Sequence, residues 1–173
     1  MNNQLNSTEY ECSGVDLWLN QAPAHGLNGT YGGYLFTNEA VRVVNDHDSS
    51  SPLFLFAAFQ NLHPPLEVPP EYIQRYDPPL NSTINGMTSF LDDSVGNLTE
   101  SLRRAGLWEN TLIVYTPDNG GYLGSGGENM PLRAGKFSDF AGGVRSAAFV
   151  SGGYLPLPMR GGTLRGLMHL CDW

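Results

Sequence analysis

Asp118 and Asn119 follow an apolar run, Thr111-Leu112-Ile113-Val114, and precede two glycines, in the order Tyr-Thr-Pro-Asp-Asn-Gly-Gly over 115–121. A carboxylate beside a carboxamide offers oxygen ligands, which suit a hard cation such as Ca²⁺ or Mg²⁺ rather than zinc. Successive residues of a strand point to opposite faces, so both side chains reach one target only where extended geometry has broken. Gly120-Gly121 permits that break, because glycine accepts backbone angles closed to other residues. The same Asp-Asn-Gly run is also an ordinary turn sequence. One carboxylate is too little for a divalent ion, so further acids have to come from elsewhere.

Two other residues carry chemistry. His63 ends a second apolar run and is held extended by Pro64, which keeps its ring at a strand exit. Its proton is exchangeable near neutral pH, although a lone histidine serves equally well as a structural residue. Lys136, in Leu132-Arg133-Ala134-Gly135-Lys136-Phe137, sits in a loop between glycine-rich segments. By itself it reads as a solvated charge. Gly124-Ser125-Gly126-Gly127 is not a dinucleotide loop: the third glycine of that fingerprint would fall at Asn129, and no strand leads into a helix there.

The elements that must position these groups alternate in type. Residues 1–36 form an irregular Asn/Gly-rich lead-in, and 37–173 the body of the domain. Thr37 to His47 has helical spacing with Thr37 as the N-cap. Leu53 to Phe59 is apolar at every position, the pattern of a strand covered on both faces. Pro69 to Tyr76 reads as a short helix and Asp77 to Asn85 as a loop. Gly86 to Leu107 is a long helix whose stripe is Met87, Leu91, Val95, Leu98 and Leu102, ended by Gly106. Thr111 to Thr116 and Ala147 to Val150 are two further strands. Strand, helix, strand with apolar strands predicts right-handed crossovers, hence an α/β sandwich with a mostly parallel sheet and helices on both faces. At the carboxyl ends of such strands reactive groups gather, and His63 and Asp118-Asn119 both fall there.

Composition narrows the partners. The 173 residues carry a formal charge of −8 with no basic cluster, which excludes a phosphate-backbone grip on nucleic acid. No apolar stretch is long enough to span a membrane, and the first residues lack the regions of a signal peptide. Cys12 and Cys171 lie near opposite ends and either bridge or remain separate thiols. Four Asn-x-Ser/Thr sequons, at Asn6, Asn28, Asn81 and Asn97, point to a glycoprotein of the secretory pathway, lysosomal or extracellular.

Taken together, PLFLFAAFQNLHPPLEVPPEYIQRYD (52–77), GMTSFLDDSVGNLTESLRRAGLWENTLIVYTPDNGG (86–121) and NMPLRAGKFSDFAGGVRSAAFVSGG (129–153) resemble the central part of a formylglycine-dependent sulfatase of the arylsulfatase B-like branch. The resemblance runs colinearly from about residue 10 to 173 and rests on three motifs in order: strand-His-Pro, helix-strand-Asp-Asn-Gly and Pro-Leu-Arg-x-x-Lys. It implies an alkaline-phosphatase-like fold and a sulfuric ester hydrolase acting on sulfated carbohydrates or aryl sulfates. By the same resemblance Asp118 and Asn119 are Ca²⁺ ligands, His63 contacts the ester near its leaving oxygen, Lys136 neutralises sulfate oxygens, and Arg145 is structural.

The departures are as informative. The family's nucleophile is a formylglycine made from the cysteine of Cys-x-Pro-Ser-Arg, and neither Cys12-Ser13-Gly14 nor Cys171-Asp172-Trp173 fits it. The paired aspartates that share the cation are likewise not in this sequence. The expectation is therefore a central fragment, inactive alone, whose partners include the remaining parts of its own domain. Pro117 stands where Thr or Ser is expected, which removes a backbone donor, and Phe140-Ala141-Gly142-Gly143 lacks the acid common before the two glycines. Two other readings stay open: a non-catalytic sulfated-glycan-binding remnant, and a phosphate-ester enzyme of the wider group, against which Pro-Leu-Arg-x-x-Lys speaks.

Overall fold

The long amphipathic helix expected near residue 86 organises half of the structure, a computed structural model that describes residues 14–76 and 82–172. Before it come a small antiparallel ribbon, β1 (Trp18–Leu19) with β2 (Ala22–Pro23), then α1 (Gly32–Asn45) and the one-turn α2 (Pro70–Ile73). The long helix itself is α3 (Ser82–Arg104). Its buried side is lined by Met87, Phe90, Leu91, Ser94, Ser101 and Leu102, with α1 and α2 packed on it. Val95 and Leu98, expected on the stripe, are only half-buried. The stripe is rotated towards Phe90, which is 1 % exposed and takes the edges of Tyr31, Tyr34 and Tyr72 at 5.0, 5.1 and 5.3 Å. Burying one such ring contributes about 1.5–3 kcal/mol before the aromatic contacts are added.

Thr37 does not cap α1. The helix starts five residues earlier, at Gly32, and Thr37 is buried within it, its Oγ1 2.7 Å from Gly33 O and 2.9 Å from Ser94 Oγ. Two glycines hid that start, since glycine weakens a helix. The structure gives the reason for one of them: a Cβ on Gly33 would lie 2.5 Å from Cε1 of Phe90. The Ser94 hydroxyl also donates to Phe90 O at 2.8 Å, so a serine is satisfied at a core position that a polar residue does not advertise. Residues 82–85 of the expected loop are helical, and 77–81 lie outside the described residues. At the other end Gly106 terminates α3 as expected, with φ +70°, Leu107 N donating to Leu102 O (2.9 Å) and Gly106 N to Arg103 O (3.0 Å).

The mostly parallel sheet is not present among the described residues. The strand expected at Thr111–Thr116 is β3 (Ile113–Tyr115), and after α4 (Ala141–Val144) the strand expected at Ala147–Val150 is β4 (Phe149–Ser151). They pair antiparallel, Val114 opposite Val150, with Tyr115 stacked on Phe149 at 5.0 Å. A parallel return needs a crossover, usually helical, of a dozen or more residues. The only α-helix between these two strands is the four-residue α4. Leu53–Phe59 makes no ladder among the described residues. Leu53, Leu55 and Phe59 are half-buried, Phe54 and Phe56 are 90 % and 80 % exposed, and Leu55, Phe56 and Phe59 line a groove together with Phe36, Ala40 and Val43 of α1. An all-apolar pattern predicts burial on both faces, and among the described residues this segment is at most half-buried.

Candidate functional site

Asp118 and Asn119 leave the end of β3 in a loop that packs on glycines rather than on side chains. Asp118 is exposed; Asn119 is half-buried and donates through Nδ2 to Gly120 O at 2.9 Å, which leaves Oδ1 as its acceptor. Gly120 is buried and donates to Gly143 O at 2.8 Å. A Cβ on Gly120 would overlap Gly142 O and stand 2.8 Å from that residue's carbonyl carbon. Gly142 N in turn donates to Arg133 O at 2.8 Å. The loop bearing Asp118-Asn119 therefore sits against Gly142-Gly143, which sit against the loop that leads to Lys136. A side chain at Gly120, Gly142 or Gly143 would force these backbones apart.

Lys136 is brought to the same place by its own main chain, its N–H donating to Gly121 O at 3.1 Å. Ala134 at φ +61° and Phe137 at φ +74° bracket Gly135-Lys136. Non-glycine residues in that region cost of order 1–3 kcal/mol each and concentrate at functional sites. The ammonium lies 5.4 Å from the centroid of the exposed Phe137 ring. Asn129 closes the arrangement. Its Oδ1 accepts from Gly121 N (2.8 Å), and its Nδ2 donates to Gly121 O (2.9 Å) and Ala134 O (3.2 Å). Arg145, expected to be structural, is exposed; its N–H donates to Ala141 O at 2.9 Å and ends α4.

His63 is held by a different scaffold. Asn61 Nδ2 donates to Tyr31 OH (3.1 Å) and to Met87 O (3.4 Å), and Tyr31 OH donates to Glu67 O (3.0 Å). These bonds fasten the 61–67 segment to both long helices, with the Tyr31 ring against Phe90. Burial raises the Tyr31 phenol above its ordinary value of 10.0, the Asn61 bond opposes that rise, and the Glu67 charge adds to it. The His63 ring is exposed and its Nδ1 is 2.7 Å from Pro64 O. A carbonyl can only accept, so Nδ1 carries a proton and Nε2 is the nitrogen that can gain or lose one. No hydrogen bond or ion pair among the described residues joins the His63 loop to the Asp118 and Lys136 loops.

Three placements thus emerge. Asp118-Asn119 and the Lys136 main chain share the Gly121 node, and His63 stands on the helical half. Asn129, Asn61 and Tyr31, which do the holding, carried no signal in the sequence: each acts through the hydrogen bonds of a single amide or hydroxyl group. As for a cation, the oxygen donors are of the right kind and too few, since Ca²⁺ takes six to eight. No group of three or more His, Cys, Asp or Glu suited to a metal occurs among the described residues. Cys171 is an exposed free thiol and Cys12 lies outside the described residues.

Comparison with known proteins follows the same residues. The family described as Sulfatase matches residues 5–161. Arylsulfatase J of Mus musculus is 36 % identical over 96 % of the chain and 29 % of its own length. N-acetylgalactosamine-6-sulfatase of the same organism is 33 % identical over 66 % of the chain and 22 % of its own. Among solved structures, Ps i-CgsB in complex with k-i-k-neocarrahexaose superposes with a TM-score of 0.67 at 32 % identity, over 76 % of this chain and 29 % of that one. The chain spans less than a third of the length of these relatives. A family match across most of its residues, with a relative alike over nearly all of them, assigns it: the chain belongs to the sulfatase family.

Proposed function

We propose that this chain supplies the cation-binding and sulfate-binding part of a sulfuric ester hydrolase of the arylsulfatase B-like kind. Asp118 and Asn119 would hold Ca²⁺ through one carboxylate and one amide oxygen, with the remaining ligands from outside the chain. When bound, that ion supplies positive charge against the sulfuryl oxygens. Lys136 adds a second positive charge to the same oxygens, held in place before the reaction so that no reorganisation is needed as charge develops. His63, protonated at Nε2, gives its proton to the alcohol oxygen as the S–O bond breaks, and its Nδ1–H to Pro64 O keeps the ring turned for that exchange. The nucleophile is expected from a formylglycine outside this sequence.

The observation that carries this reading is the sharing of Gly121 by the loops of Asp118-Asn119 and Lys136. A lysine and a carboxylate-carboxamide pair are the two charge partners that a sulfate ester and its cation require. Sulfated sugars are the favoured substrate class, because a similar solved protein is named with a carrageenan-type hexaose and a similar curated one with a 6-sulfated amino sugar. The exposed sequons at Asn28 and Asn97 support a secretory-pathway location.

The test is turnover of 4-nitrophenyl sulfate by the chain joined to a segment carrying Cys-x-Pro-Ser-Arg and its aspartate pair. Lys136→Ala and His63→Ala should each lower kcat by about 10²-fold or more. Unchanged kcat in both would overturn the roles assigned to these two side chains. Saturable binding of sulfated oligosaccharide with no turnover in the joined protein would favour the non-catalytic reading.

A further inference from the structure

Residues 116–140 contain one short 3₁₀ turn, Leu123–Ser125, and no longer element, yet they carry both charge partners of the proposed site. Something other than helix or sheet has to fix their relative position. We infer that Asn129 is the positioning residue that sets Lys136 against the Asp118-Asn119 pair, an inference that rests on reading these three as one site.

The carboxamide of Asn129 does for Gly121 what a neighbouring strand would do. It accepts from Gly121 N and donates to Gly121 O, at 2.8 and 2.9 Å, and it spends its second N–H on Ala134 O at 3.2 Å. Every polar atom of the side chain is used. Gly121 O also receives Lys136 N, so one carbonyl is shared by the amide and by the lysine's own main chain. Gly135 is empty where the amide passes: a Cβ there would stand 2.7 Å from Asn129 Nδ2. Gly121 lies two residues beyond Asn119, and Lys136 two beyond Ala134. The amide therefore spans the two loops at the points nearest their functional residues.

Only a carboxamide satisfies all three partners. A carboxylate keeps the bond from Gly121 N and sets an oxygen against Gly121 O and Ala134 O, acceptor facing acceptor. An aliphatic side chain of the same size keeps none of the bonds. These differences separate a positioning role from a general contribution to folding.

The experiment compares amide exchange, by two-dimensional NMR of the 173-residue chain, in wild type, Asn129→Leu and Asn129→Asp. In Asn129→Leu the amides of Gly121 and Lys136 should exchange about tenfold faster or more, while those of Phe90 and Leu91 in α3 keep the wild-type rate. In Asn129→Asp, Gly121 stays protected and Lys136 does not. That defect should vanish relative to wild type as the pH falls and the introduced carboxyl takes a proton, because it can then donate to Gly121 O. Wild-type protection of Lys136 in Asn129→Leu overturns the inference, as does uniformly faster exchange that includes α3. If the leucine variant fails to fold, the pH series of the aspartate variant decides alone, and absence of a pH-dependent rescue overturns the inference.

A second arm adds Ca²⁺ to the chain joined to the segment that carries Cys-x-Pro-Ser-Arg and its aspartate pair. In wild type it should shift Asp118, Asn119 and, through Gly121, Lys136; in Asn129→Leu the Lys136 shift should disappear while the first two persist. No shift in wild type counts against the proposed cation site, and the exchange rates still decide the role of Asn129.

Discussion

Replacing Gly120 by alanine tests whether backbone packing, rather than side-chain contacts, builds the platform under Asp118 and Asn119. The added Cβ would overlap the carbonyl oxygen of Gly142, approach its carbonyl carbon to 2.8 Å and reach Gly143 Cα at 3.2 Å. All three are main-chain atoms, so no flexible side chain can move aside. Gly120 or the Gly142-Gly143 pair has to retreat, and the buried bond from Gly120 N to Gly143 O, 2.8 Å long, lengthens or breaks. Overpacking of this kind costs about 1–3 kcal/mol, and a buried donor left unpaired about another 1–3 kcal/mol. The sum, about 2–6 kcal/mol, corresponds to local opening at least about 30-fold more frequent. Hydrogen exchange read by mass spectrometry over peptides from 117 to 145 would detect it. Gly96→Ala is the control: Gly96 lies exposed on α3 with nothing within 4 Å of an added Cβ, so the change should stabilise by about 0.5–1 kcal/mol and leave 117–145 untouched. Wild-type exchange over 117–145 in Gly120→Ala, with the control behaving as stated, would refute the reasoning.

Other consequences follow from the helical half. Phe90→Ala empties the centre of the aromatic cluster and should lower stability by about 3–5 kcal/mol in a urea titration followed by circular dichroism at helical wavelengths. Burial, then the hydrogen bond from its hydroxyl to Asp93 and the charge of that carboxylate, push the Tyr72 phenol up to about 12. The folded state thus holds its proton more tightly than the unfolded chain, whose value is near 10.0. Its stabilising effect is complete below that value and is lost as the pH climbs from 10 to about 12, and Asp93→Asn should shrink this alkaline loss in the same urea assay. Secretion from a eukaryotic host should yield chain whose mass drops on glycosidase treatment, with modified peptides at Asn28 and Asn97; an unmodified secreted chain would count against the location proposed.

Much of the fold was legible where one segment decides its own shape. Apolar periodicity marked α3, and Gly106 closed it, because both signals are local. Short apolar runs marked β3 and β4 but not their direction, which depends on what joins them, and a glycine knot joins them instead of a covering helix. The start of α1 was hidden because Gly33 is selected by the distant Phe90 ring, against its own helix propensity. Ser94, likewise, reads as surface until Thr37 supplies a partner from another helix. At the site, the order of motifs pointed to Asp118, Asn119, Lys136 and His63. The residues that hold them, Asn129, Asn61 and Tyr31, bind backbone groups far away in sequence or across a loop, and no periodicity announces such contacts.

The central claim is that imidazole, ammonium, carboxylate and carboxamide face one cation and its anion, and its most direct test is paramagnetic relaxation. Mn²⁺ takes the same hard oxygen ligands as Ca²⁺, and its unpaired electrons broaden nearby nuclei with a steep dependence on distance. Titrated into the chain joined to the segment that carries Cys-x-Pro-Ser-Arg and its aspartate pair, it should broaden Asp118 and Asn119 first, then the Lys136 side chain and the His63 ring together, and Asp118→Ala should abolish all of it. Sharp His63 and Lys136 signals beside a fully broadened Asp118 would contradict the account.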